Sequence, residues 1–177
     1  MGGQQAPEVG QWLESLMRRH ERPLTRYAAR ITGDVERARD VVQETFLRLL
    51  SANHPGDDHL AQWLFTVCRN RALDVARKEH RMSPLTEAQA RSQSSREAAP
   101  PAAAQRRETL GRTLQALQAL PPNQQEVVRL KFQNGFSYRQ IAAITGLSAS
   151  NVGFLIHTAI RTIRQKLQAA TGPAGGA

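Results

Sequence analysis

The sequence predicts an all-α chain: two small helical domains joined by a flexible linker. Three observations carry this. Apolar residues recur at helical spacing along most of the 177 residues, strand-like alternation is absent, and residues 83–105 interrupt the helical pattern with a Ser, Pro, Ala and Gln run that includes Pro100-Pro101. Little in that run can bury a core face, so it reads as an interdomain linker. The domains then span residues 10–82 and 106–170.

Residues 1–9 read as frayed. From about Val9 a helical face gathers Leu13, Leu16, Met17 and His20, then Leu24, Tyr27, Ala28 and Ile31. Gly33 stops this helix, and Asp34 caps the next. That second helix carries the stripe Ala38, Val41, Val42, Thr45, Phe46, Leu49 and Leu50. Ser51–His59, with Asn53, Pro55 and Gly56, reads as a loop. A third helix runs from about Leu60 to Arg81 with Leu64, Val67, Cys68, Ala72 and Val75 inward.

Beyond the linker, Leu110, Leu114, Leu117 and Leu120 mark a helix that Pro121-Pro122 ends. Pro122 suits the start of the next, which carries Val127, Val128, Leu130 and Phe132 and stops at Gly135. Ser137–Ile156 then reads as a helix-turn-helix. Ser137 and Gln140 form a capping box, Gly146 takes the turn, Ser148 caps the second helix, and Ala142 sits where the helices approach closely. Ile141, Ile144 and Leu147 meet Val152, Leu155 and Ile156 across the turn. The last helix continues through Ala159, Ile160, Ile163 and Leu167 into a Gly/Pro-rich tail from Thr171 to Ala177.

Charge points to the partner. The net charge is +9 and the sequence pI about 11.1, which favours a polyanion. Residues 106–177 carry nine Lys/Arg against two Glu, whereas residues 10–82 carry thirteen against ten acids. The surplus travels with the helix-turn-helix, whose second helix suits the major groove of duplex DNA. Val152, Leu155, Ile156, Ala159 and Ile163 face inward, leaving Asn151, Gly153, Phe154, His157, Thr158 and Arg161 outward. Ser150 and Asn151 can bond base edges or phosphates. Gly153 permits close backbone approach or is an ordinary surface glycine. Phe154 presses on a thymine methyl or covers a neighbouring helix. Arg139, Arg161, Arg164 and Lys166 suit phosphates or form a solvated face.

Two further patterns lie in the first domain. Asp40, Gln43 and Glu44 share one side of the second helix, opposite its apolar stripe, either as a partner surface or as a solvated face. In the third helix Trp63 and Phe65 lead into Arg69, Asn70, Arg71, Arg77, Lys78 and Arg81. Aromatic residues beside arginines suit a single strand, whose bases stack while Arg holds phosphates; core packing is the other reading of either aromatic. Asp74 can pair with Arg71 or Arg77.

The excluded classes follow from what is missing. His54, Asp57, Asp58 and His59 are the sole acid/His cluster, without a second paired ligand set, so neither metal nor cofactor is expected. Cys68 lies in an apolar stripe and reads as a buried hydrophobe rather than a nucleophile. No phosphate loop or nucleophile elbow is visible, so no enzyme is expected. One cysteine forms no intramolecular disulfide and fits a reducing compartment. With no signal segment and no apolar run near the ~18 residues of a span, the expectation is a soluble cytoplasmic protein without membrane insertion. A membrane-surface protein would need a basic face opposite bulky apolar residues, which the basic helices lack. A dimeric operator-binding regulator, with residues 10–82 as sensor or dimerisation domain, stays open.

Three segments together are more specific than the helix-turn-helix: Asp40-Val-Val-Gln-Glu-Thr-Phe-Leu-Arg-Leu49, then Trp63-Leu-x-x-x-x-Arg-Asn-x-Ala-Leu-Asp74, then Leu120-Pro ahead of the helix-turn-helix. In order and spacing the chain resembles the bacterial extracytoplasmic-function sigma factors, over about residues 11–82 (sigma region two) and 106–168 (sigma region four). The resemblance implies that Asp40, Gln43, Glu44 and Phe46 dock on the clamp helices of the RNA polymerase largest subunit. It implies that Trp63–Arg81, with Arg69, Asn70, Arg71, Arg77 and Lys78, melts the minus-10 element and holds its non-template strand. The loop with Asn53 and His54 would cradle a flipped base. The second helix of the helix-turn-helix would read the minus-35 element, with Arg139, Ser148, Ser150, Asn151, Gly153, Phe154, His157, Thr158 and Arg161 as its contacts. An anti-sigma partner, and a monomer when unbound, follow from the same resemblance.

This chain departs from the family at two places. The usual Thr-Val-Lys/Arg-Ser-Arg run of the recognition helix reads Asn151-Val-Gly-Phe-Leu155, and a further common Arg is Thr158. The loop Ser51–His59 replaces a Phe-rich version with His54, Pro55 and two Asp.

Overall fold

The computed structural model describes residues 5–51, 56–82 and 101–171. Seven helices and no strands occupy them. The chain divides into two units, Met1–Ser92 and Gln93–Ala177.

In the first unit α1 (Gln5–Thr32) packs on α2 (Val35–Ser51) and α3 (Asp57–Met82), which also pack on each other. Gly33 ends α1 in the left-handed region, φ +74°, and its N–H donates to the Ala29 carbonyl at 2.9 Å. Asp34 Oδ1 accepts from the Arg37 N–H at 2.8 Å, so the expected cap of α2 is present. The core draws Leu24, Tyr27 and Ala28 from α1, Val41, Phe46 and Leu49 from α2, and Leu64, Phe65, Cys68 and Ala72 from α3. The Tyr27 and Phe65 rings sit 5.2 Å apart at 49°, a tilted aromatic pair.

Helix α1 starts at Gln5 rather than near Val9, and α3 at Asp57 rather than Leu60. The expected loop Ser51–His59 is therefore shorter: Ser51 closes α2, and the His59 N–H donates to the Gly56 carbonyl at 3.0 Å as α3 begins. Leu50, expected on the buried stripe, is 54% exposed. It is one residue past Leu49, and one step along a helix turns the side chain about 100° away from the core.

The second unit holds α4 (Pro101–Gln118), α5 (Pro122–Phe132), α6 (Tyr138–Thr145) and α7 (Ala149–Thr171). Helices α4, α5 and α6 all pack on α7. Helix α4 begins five residues before the expected Arg106, inside the segment read as linker. Pro121-Pro122 separates α4 from α5 as expected, and the Gln125 side-chain amide closes the corner by donating to the Leu120 and Gln118 carbonyls at 2.9 and 3.0 Å. Leu117, Leu120, Val128 and Ala159 form a buried cluster with Ile163 against it. Only the C-terminal end of α4 enters this core: of the four leucines that mark the helix in the sequence, Leu110 and Leu114 lie exposed.

The candidate polymerase and promoter surfaces

The helix-turn-helix is built as its residues dictate. Ser137 Oγ accepts from the Gln140 N–H at 3.3 Å, and Gln140 Oε1 accepts from the Ser137 N–H at 2.9 Å, completing the capping box. Gly146 takes φ +77° and donates to the Ala142 carbonyl at 2.9 Å. Ser148 Oγ caps α7 by accepting from the Asn151 N–H at 3.1 Å. The two helices meet at 104°, within the range of about 90–120° for helix-turn-helix pairs. Ile141, Ile144, Val152, Leu155, Ile156 and Ala159 are buried between them and the rest of the unit.

That packing sorts the recognition face. Ser148, Ser150, Asn151, Phe154, His157 and Arg161 are exposed, as is Arg139 on α6, while Gly153 and Thr158 are half-buried. Phe154 is 66% exposed, so it covers no neighbouring helix. Gly153 faces inward to the turn: a Cβ there would stand 3.5 Å from the Tyr138 ring. Its partner is thus an aromatic edge of α6. Lys131 Nζ lies 5.4 Å from the centre of the same ring, a cation–π distance. Between Ala149 and Ile160 the helix carries no Lys or Arg; Arg161, Arg164 and Lys166 follow. The N-terminal half of α7 offers hydrogen-bonding and apolar groups, and the C-terminal half positive charge.

On α2, Asp40 and Gln43 are exposed and Glu44 is half-exposed. Leu47, outside the sequence-predicted surface, is 58% exposed. Positions 40, 43, 44 and 47 share one helix face, so a large apolar side chain sits beside the acid and amide groups. Its signal was visible as a leucine out of phase with Phe46 and Leu49. Phe46 corrects the expectation: it is 5% exposed and belongs to the core beneath this face.

Glu44 and Arg71 also differ from their separate roles. The Arg71 guanidinium meets the Glu44 carboxylate through two hydrogen bonds, one from Nε and one from Nη2 at 2.9 Å. The hydrogen bond from Arg71 holds the Glu44 carboxyl below its ordinary pKa, and the same bond raises that of Arg71. Asp74 pairs with Arg77, at 3.5 Å, and not with Arg71. A second ion pair, Arg37 with Glu79, also joins α2 to α3.

Along α3, Phe65 is core and Trp63 half-buried. Asn70, Arg77 and Lys78 are exposed, and Arg69 is half-buried with contacts inside the protein. Trp63, Asn70 and Arg77 recur every seven residues and so share a face. Asn53 and His54 lie outside the described residues. Cys68 is fully buried, and burial pushes its thiol pKa up to about 12. Among the described residues, no three His, Cys, Asp or Glu side chains gather to hold a metal ion. No single described helix is long and apolar enough to cross a membrane.

Comparison with known proteins agrees with this arrangement. Sigma-70 region 2 matches residues 16–82 and Sigma-70 region 4 matches residues 110–170. The chain is 34% identical to the ECF RNA polymerase sigma factor SigL of Mycobacterium tuberculosis, over 88% of this chain and 89% of that protein. It is 33% identical to the ECF RNA polymerase sigma factor EcfG of Rhodopseudomonas palustris, over 82% and 77%. Its fold is similar to the sigma factor RpoE crystallised with the anti-sigma factor NepR from Bartonella quintana, with a TM-score of 0.68 at 21% identity, over 88% and 96% of the two chains. CnrH, solved with the cytosolic domain of CnrY, gives a TM-score of 0.57 at 26% identity, over 90% of each. Two matched regions in the sigma order, with relatives spanning nearly the whole chain, make this protein a member of the ECF sigma factors of the sigma-70 family.

Proposed function

We propose that the two units divide promoter opening between them, and that residues 10–82 and 106–170 are the working domains of a sigma factor that binds core RNA polymerase and directs it to a small promoter set. The observation that carries this is the coexistence in one short chain of an exposed acid, amide and leucine face on α2 and a capped helix-turn-helix. An operator-binding regulator needs only the second.

Asp40, Gln43 and Leu47 supply the polymerase contact, with Phe46 holding the helix from beneath. Glu44 acts here through Arg71: the pair fixes the docking helix against α3, so polymerase engagement sets the position of the melting helix. Trp63, Asn70, Arg77 and Lys78 face the opened minus-10 strand, Trp63 by stacking and the cations by phosphate contact. Flipping a base costs a few kcal/mol, offset by pocket contacts and polymerase binding.

Ser150, Asn151, Phe154 and His157 read the minus-35 element in the major groove, while Arg139 and Arg161 hold its backbone. The protein catalyses nothing itself, works in the cytoplasm and is a monomer when unbound. The anti-sigma factor NepR bound to the structural relative RpoE supports a similar partner here that masks these surfaces. Run-off transcription by bacterial core polymerase over a random promoter library tests the reading. Enrichment of paired minus-35 and minus-10 elements at fixed spacing supports it; a dimer that selects a palindrome without polymerase replaces it by the operator-binding regulator.

A further inference from the structure

Helix α1 carries Arg18, Arg19, Arg22, Arg26 and Arg30 against one acid, Glu21, within residues 18–30. All five arginines are exposed. At 3.6 residues per turn they fall within an arc of about 120°, roughly opposite the buried face of Leu16, Leu24 and Tyr27, and their line is about 18 Å long. Elsewhere in residues 10–82 there are eight basic and nine acidic side chains. The positive surplus of the first unit therefore lies in this one stripe.

The stripe is largely unneutralised. Arg18 pairs with Glu14 at 3.1 Å. Other ion pairs of this unit take Arg37, Arg39, Arg71 and Arg77, and among the described residues Arg19, Arg22, Arg26 and Arg30 have no carboxylate partner. Arg30 turns back to donate to the Arg26 carbonyl at 3.1 Å. Partial burial there, with the neighbouring Arg26 charge, lowers its pKa from the ordinary value. Arg18, Arg22, Arg26 and Arg30 stand at i, i+4 spacing, where like charges destabilise a helix.

We propose that this outer face of α1 is a second nucleic-acid surface, which holds the phosphate backbone of promoter duplex without reading its sequence. The proposal rests on the promoter-directing reading above and extends it to a helix to which that reading assigns no polymerase docking, strand capture or minus-35 contact. The chemistry selects the occupant. Protein interfaces set aromatic anchors beside their arginines, and an amphipathic membrane helix sets a bulky apolar face against its basic one; between Arg18 and Arg30 no large apolar side chain is exposed on the stripe. A row of guanidinium forks without apolar anchors suits phosphates, which it meets two bonds at a time.

The test uses holoenzyme formed from bacterial core polymerase and the full chain, bound to a promoter duplex over a salt series. Each phosphate contact contributes a slope of about 0.9 to the log–log salt dependence. Replacing Arg19, Arg22 and Arg26 together by Gln flattens the slope by about 2–3 and leaves co-elution with core unchanged, while the corresponding triple Lys variant keeps the slope. An unchanged slope in the Gln variant overturns the proposal, and if core co-elution is lost at the same time the stripe belongs to the polymerase interface instead. Failure of the unmodified holoenzyme to bind promoter is a separate result, which removes the promoter-directing reading and this proposal with it.

Discussion

The Arg71 guanidinium grips the Glu44 carboxylate across the α2–α3 interface. These two side chains sit in the two motifs that resemble separate sigma functions, and the fold joins them. Glu44 has a depressed pKa in the folded state, principally through its hydrogen bond from Arg71. A carboxylate with a depressed folded pKa contributes stability above its unfolded value, near 4.3, and loses it as pH falls through the folded pKa. Both groups are partly exposed, so the contribution is about 0.5–1 kcal/mol. Glu44→Gln is expected to lower stability by that amount at pH 7 in urea titrations, and the difference from the unmodified chain should shrink as pH falls below the unfolded value and through the depressed folded pKa.

Glycines at two positions of the helix-turn-helix should respond oppositely to alanine. Gly146 sits at φ +77° with open space around it, so only the backbone resists a side chain. Gly146→Ala is expected to cost about 1–2 kcal/mol. Gly153 is in a helix interior, and a Cβ there makes ordinary contact with Tyr138 at 3.5 Å. Gly153→Ala is expected to stabilise by up to about 1 kcal/mol through helix propensity. Denaturant midpoints followed by circular dichroism measure both.

Phe154 is the large apolar side chain on a polar recognition face. If it rests on a thymine methyl, replacing that thymine by deoxyuridine removes one methyl contact, worth about 0.8 kcal/mol. Holoenzyme should then bind the substituted minus-35 element about fourfold more weakly. Phe154→Ala should bind both elements equally, and a thymine-to-deoxyuridine effect that survives in the variant would assign the methyl contact elsewhere.

Cys68 offers a readout of the first unit's opening. Its thiol is fully buried with a pKa pushed up to about 12, so the thiolate is scarce at pH 8. Native protein is expected to resist a disulfide reagent at pH 8 and to react at once in denaturant. Mutations that loosen the α1–α2–α3 core should raise the native rate in proportion to their effect on opening.

Much of this was legible in the chain because local chemistry settled it. Gly33, Gly135 and Gly146 were each read as stops or turns, and each takes a positive φ. Asp34, Ser137, Gln140 and Ser148 were read as caps, and each makes its hydrogen bond. What was missed depends on neighbours distant in sequence. Spacing put Leu110 and Leu114 on the same side of α4 as Leu117, but α4 reaches the core only at its C-terminal end. Nothing in the two motifs revealed that Glu44 would find Arg71 twenty-seven residues away. Phe46 satisfied both the core stripe and the family motif, and only packing decided between them.

The proposed mechanism turns on docking of the exposed face of α2 on core polymerase. Size-exclusion chromatography of the full chain with bacterial core polymerase at moderate salt tests it directly, with Asp40→Arg and Leu47→Ala alongside. Stable co-elution of the unmodified chain is expected, with its loss in Asp40→Arg and its weakening in Leu47→Ala, all three equally folded. Normal co-elution of Asp40→Arg would contradict the assignment of α2 as the docking helix, and failure of the unmodified chain to co-elute would contradict the sigma mechanism as a whole.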